Sequence, residues 1–175
     1  MKVLISLTAI LLFSFGCNSN PVASESEKNF EIFLTKNIEN NSPMNVSLDK
    51  LILEDEPILS NQLIESYVWD NHRITYSNET KEKIKLKEPL FGRYFVVIAQ
   101  NHRIYWGLFT DDASSGSCQN PVIRLLPRHP DKSSFITNVF VIDRAYPEYF
   151  GNENDKDLRE DLRIYNALQK SGKLK

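Results

Sequence analysis

The chain has 175 residues, a formal net charge of −2 and 41% hydrophobic residues. That length and balance suit one domain with a core of ordinary size. They supply no basic excess of the kind that nucleic acid or an anionic lipid surface selects, so no nucleic-acid partner is expected.

The chain opens with Met1 and Lys2, then an apolar run over residues 3–15 relieved only by Ser6, Thr8 and Ser14, and then Gly16 and Cys17. One cation, a short apolar core and a small residue before the cut read as a secretory signal, too short for the roughly 20 residues a spanning helix needs. Residues 12–17 (LFSFGC) resemble the lipobox of bacterial lipoproteins, in which a branched apolar residue sits three before the modified cysteine and small residues fill the next two places. Gly16 meets that pattern, whereas Ser14 and Phe15 depart from it. The resemblance implies removal of residues 1–16 as a signal peptide and acylation of Cys17, including a fatty acid of the palmitate kind. The mature chain then has 159 residues and a formal charge of −3, because Lys2 leaves with the signal. More than one acyl chain on Cys17 holds a protein stably at a membrane. The implied place is the bacterial cell envelope, with the outer membrane preferred over the inner because Asn18 and Ser19, not aspartate, follow the cysteine. The alternative is an ordinary secretory signal followed by an unmodified cysteine. If Cys17 carries lipid, Cys118 has no intramolecular partner, and stability must come from packing.

Residues 17–28 are polar apart from a few small side chains and read as a lipidated N-terminus with a flexible tether. Residues 29–175 read as a single domain, denser from about Leu48. In residues 30–34, the alternation of Phe30, Ile32 and Leu34 gives either an edge strand or part of the stalk. Residues 68–69 and 73–77 are extended, parted by Asp70 and Asn71. Asn78 is the expected N-cap of a short helix reaching about Leu86, which Pro89 and Gly92 end. Residues 93–100 (RYFVVIAQ) and 103–110 (RIYWGLFT) make a hairpin about Asn101 and His102. A polar loop, residues 111–121, leads to strands at 122–126 and 135–142. From Asn154 a C-terminal helix sets Leu158, Leu162, Tyr165 and Leu168 on one stripe and closes at Gly172. The expected fold is therefore α+β: a small, mostly antiparallel sheet with one short helix and a C-terminal amphipathic helix. Residues 74–109 also resemble the periplasmic head repeat of the SecD family of protein-export subunits, through their apolar pattern and Gly92. That resemblance implies a fold unit and not export activity.

Cys118 lies in a loop with Ser114, Ser115 and Ser117, and His129 follows. A cysteine or serine nucleophile needs a base within hydrogen-bond reach; otherwise Cys118 is a small residue pinning the loop. Among His72, His102 and His129 no two share a helical spacing of three or four, and no CxxC or HExxH occurs, so no metal or cofactor is expected. Asp111 and Asp112 form either a hard-cation site or a solvated turn. Asn71-His72-Arg73-Ile74 recurs as Asn101-His102-Arg103-Ile104. Set side by side, the two His-Arg pairs would make a basic patch for an anion; the alternative is coincidence of turn chemistry. Trp106 and its aromatic neighbours either face a protein or glycan partner or pack the core. The ligand-binding candidates are thus His72, Arg73, His102, Arg103, Trp106, Asp111, Asp112, Ser115 and Cys118. These features point to a non-enzymatic binding or scaffolding domain held at a membrane through Cys17. The alternatives are a cysteine or serine hydrolase built on the Cys118 loop, and an immunity or inhibitor protein.

Overall fold

The computed structural model describes residues 27, 29–111, 114–125, 138–147 and 156–175. Cys17, the signal and nearly all of the tether, Asp112, His129 and the start of the expected strand at 135–142 lie outside them.

Among the described residues eight strands form one sheet: β1 (Phe30–Leu34), β2 (Leu59–Ser60), β3 (Ile64–Val68), β4 (Arg73–Tyr76), β5 (Tyr94–Ala99), β6 (His102–Asp111), β7 (Val122–Leu125) and β8 (Val139–Asp143). Their order is β2-β1-β5-β6-β7-β8-β4-β3. Helix α1 (Asn78–Lys85) follows β4, and helix α2 (Leu162–Lys170) lies near the C-terminus. All neighbouring strands are antiparallel except β6 and β7. The two edge strands, β2 and β3, are joined by residues 61–63 alone. Laid flat, seven inter-strand steps of about 4.8 Å would hold those edges roughly 34 Å apart, whereas the linking chain reaches at most about 14 Å. The sheet must curl, and it does so into a nearly closed barrel. Phe30 on β1 meets Tyr67 on β3 edge-to-face across the seam, ring centroids 5.8 Å apart.

The expected α+β fold with a small, mostly antiparallel sheet is therefore overturned: the chain is mostly β, and its sheet is large, mixed and nearly closed. Two features of the sheet carry no local signal. β2 has only two residues, and β6 joins β7 in parallel through a polar loop that reads like a simple turn region. Strand β1 is neither edge nor stalk, because it pairs with β5 along its whole length and buries Phe30, Ile32 and Leu34.

Local details shift for identifiable reasons. The β5–β6 hairpin turns at Gln100 and Asn101, both with positive φ (50° and 62°), as a type I′ turn requires, so His102 begins β6. Helix α1 is capped one residue earlier than expected, by Ser77, whose hydroxyl accepts the Thr80 N–H at 3.1 Å. The C-terminal helix is broken at Asp161: residues Leu158–Glu160 form a 3₁₀ turn, and α2 starts after it. Its buried face is Ile164, Ala167 and Leu168, which leaves Leu162 72% exposed and off the expected stripe.

Aromatic rings fill the interior in a chain running from Phe95 edge-on to Phe109 (5.3 Å), edge-on again to Phe140 (5.7 Å) and then, tilted, to Tyr76 (5.0 Å). Gly107 makes room for them. A Cβ there would lie 2.2 Å from the Phe95 ring and 2.3 Å from the Pro121 carbonyl, and neither the packed ring nor the backbone has space to yield. Gly107→Ala is therefore expected to destabilise the protein by about 3 kcal/mol through overpacking. Urea denaturation checks this, and an unchanged midpoint would contradict the close approach.

Candidate functional site

The residues singled out from the sequence do not converge. His72 is buried at the β3–β4 corner, whereas Arg73 begins β4 and is exposed. His102 is exposed at the tip of the β5–β6 hairpin, its Nδ1 2.7 Å from the Gln100 carbonyl oxygen. Arg103 instead latches a loop, its Nη1 donating to the carbonyls of Leu48 (2.6 Å) and Leu51 (2.8 Å). The sheet register carries Arg73, opposite Val141, to within a residue of the row Ile142–Ile123–Phe109. Phe109 lies about 20 Å along β6 from Arg103 at the usual rise per residue, so the two His-Arg pairs are not side by side. Trp106 is half-buried and packs edge-on against Tyr94, centroids 5.8 Å apart. Asp111 ends β6 opposite Leu125, and Ser115 is exposed in the following loop.

Cys118 is buried and forms a two-way backbone bridge with Tyr146, its N–H donating at 2.7 Å and its carbonyl accepting at 2.8 Å. Burial pushes its thiol up from the ordinary value, and a backbone hydrogen bond from Asn120 offsets only part of that. An activated nucleophile needs the opposite shift.

Two groupings that the sequence did not announce have more chemistry. The first surrounds His72. The ring is 4% exposed, its Nδ1 lies 3.0 Å from the Tyr67 hydroxyl, and Trp69 packs edge-on against it at 5.6 Å. Its backbone adopts left-handed φ 49°, which turns β3 back into β4. Burial, and then the positive charge of Arg159, push its pKa down to about 4. Arg159 is itself held by Asp157, with Nε 3.0 Å from Oδ1 and Nη2 2.6 Å from Oδ2, and its Nη1 donates to the Ile142 carbonyl at 2.8 Å. The same Asp-Leu-Arg arrangement recurs at Asp161 and Arg163, where Asp161 caps α2. Arg159 keeps the Asp157 carboxyl below the usual range even though burial opposes this.

The second is a cleft of about 440 Å³ at the seam, where β1 begins beside the β2–β3 link and the β5–β6 turn. Asn29, Glu31, Ser60, Asn61, Gln62 and Asn101 supply its polar lining, with Phe30 and Pro57. Asn29 organises it: the Nδ2 group donates to Glu31 Oε2 (3.1 Å) and Asn101 Oδ1 (3.0 Å), while the Oδ1 is buried and takes no hydrogen bond among the described residues. A buried acceptor without a donor costs about 1–3 kcal/mol, so this atom is suited to a ligand N–H or O–H. Among the described residues no lysine or arginine lines the cleft. Its chemistry therefore matches neutral hydroxyl and amide groups and not an anion.

Compared with protein-family models, curated proteins and solved structures, the chain has no match in any of the three. Among the described residues no helix is long and apolar enough to cross a membrane.

The environment of Cys118 gives a direct test. In the native protein at neutral pH its thiol is expected to resist alkylation by iodoacetamide, and to react at the rate of a free thiol once the chain is unfolded in guanidinium. Peptide mapping of the labelled site reads this, and fast native labelling at mildly acidic pH would instead mark an activated thiolate.

Proposed function

We propose that the protein is a lipid-anchored domain of the bacterial envelope that binds a glycan without chemically altering it. The lipobox-like residues ending at Cys17 support the anchor, and the seam cleft supports the binding role. The observation that carries the reading is the buried, unpartnered Oδ1 of Asn29 in a cleft of carboxamides, a hydroxyl and one carboxylate. Carboxamide and carboxylate groups pair with the hydroxyls and acetamido groups of a sugar, and the described lining residues offer no lysine or arginine to pair with a phosphate. Residue 29 also directly follows the tether at 17–28, so the cleft is at the end of the domain that leads to the anchor.

Two measurements check the two halves. Mass analysis of the mature N-terminus is expected to find Cys17 as the first residue, carrying acyl chains; an unmodified Cys17 or cleavage elsewhere would remove the anchor. Saturation-transfer NMR with an N-acetylglucosamine tetrasaccharide is expected to show transfer from the protein to the acetamido methyl groups. Asn29→Ala should weaken that binding by about tenfold, the equivalent of one hydrogen bond of roughly 1.4 kcal/mol. Equal binding by parent and variant, or none by the parent, would sink the glycan reading.

A further inference from the structure

The cluster around His72 lies apart from the seam cleft and has a composition of its own. One ring nitrogen of His72 and one carboxylate oxygen from each of Asp157 and Glu160 lie within 4.8 Å of one another. An atom at the centre of such a triangle sits at most about 2.8 Å from each corner. Zinc-class cations bind nitrogen and oxygen at about 2.0–2.2 Å, so the three groups need close in by less than an ångström each. Glu160 is exposed and can swing to supply that movement, while His72 and Asp157 are held in place.

An independent feature of His72 points the same way. The residue is 4% exposed, and the Tyr67 hydroxyl lies 3.0 Å from its Nδ1. Its other nitrogen, Nε2, makes no hydrogen bond among the described residues. A metal-ligating imidazole has one nitrogen hydrogen-bonded to an outer partner that fixes the ring; in the tautomer in which Nδ1–H donates to the Tyr67 hydroxyl, Nε2 carries the free lone pair. The charges also fit. Two carboxylates against the one guanidinium of Arg159 leave a net negative site, and Arg159 fixes Asp157 by a two-pronged ion pair while donating to the Ile142 carbonyl.

We propose that His72, Asp157 and Glu160 form a binding site for a divalent transition-metal cation of the zinc class, with the fourth coordination position open beside Glu160. An imidazole donor selects against magnesium and calcium, which take oxygen ligands, and two carboxylates without a thiolate distinguish the site from a Cys-rich structural zinc. The bound cation would clamp the 3₁₀ turn at Leu158–Glu160 to the β3–β4 corner. A cation that binds only the folded chain raises its melting temperature.

The test is titration of zinc chloride into the EDTA-stripped full chain, read by calorimetry and by thermal melting, with magnesium chloride as the control. The expected result is one zinc per chain in the micromolar range or tighter, a higher Tm with zinc and no response to magnesium. Because Glu160 is exposed, Glu160→Gln should keep the metal-free Tm, lose the zinc-dependent rise and weaken binding by more than about tenfold. X-ray absorption at the zinc edge should find one imidazole and otherwise oxygen ligands. Absent zinc binding, undiminished binding by Glu160→Gln, an equal response to magnesium, or sulfur in the coordination sphere would each overturn the proposal.

Discussion

The short link at residues 61–63 is the constraint on which the rest of the fold depends. It joins the two edges of an eight-stranded sheet, so the sheet cannot lie open. Closure by direct pairing of β2 with β3 is not available either, since β2 spans two residues. The free edge of β3 is instead occupied by the C-terminal tail: Tyr67 N–H donates to the Lys173 carbonyl at 2.7 Å, Lys175 N–H donates to the Tyr67 carbonyl at 2.8 Å, and Trp69 N–H donates to the Lys175 carbonyl at 3.2 Å. Behind that tail, Ile164, Ala167 and Leu168 of α2 complete the core, and Tyr165 stands edge-on to Trp69 at 5.1 Å. An exposed edge that would otherwise invite pairing with another chain is thereby covered.

The approach to α2 follows from the same requirement. Two successive Asp-Leu-Arg triplets each form a side-chain pair and a backbone cap, which break the helical run at Asp161 and start α2 at the angle the seam needs. Arg159 then ties the turn to β8 through the Ile142 carbonyl. A consequence of this bracing is that Asp157 and Glu160 arrive beside the buried ring of His72. The closure of the barrel and the assembly of the His72 cluster are thus one structural event.

How much of this was legible depended on the range of the interaction. The β5–β6 hairpin, the β3–β4 corner and α1 are written in neighbouring residues, and the sequence locates each to within a residue or two. Gln100 and Asn101 displaced the turn by one position because the two positive φ values, not the turn propensity of Asn101 and His102, set the register. Barrel closure could not be read, because it depends on pairing between β1 and β5 and between β4 and β8 across long stretches of chain. The repeated Asn-His-Arg-Ile looked like one feature in two copies, yet one histidine is a buried corner and the other an exposed hairpin residue. A search for histidine pairs at helical spacing could not find a grouping whose members come from a strand corner and a distant turn. The polar residues of the seam cleft had no periodic signal and read as loop; the uncompensated Asn29 Oδ1 marks them out.

Closure of the seam by the tail is the central claim, and amide hydrogen exchange followed by NMR tests it most directly. If the tail completes the barrel, the amides of Tyr67 and Lys175 exchange only with global unfolding, as slowly as those inside β5. Rapid exchange at Tyr67 and Lys175 while the β5 amides remain protected would show an open seam and contradict this account.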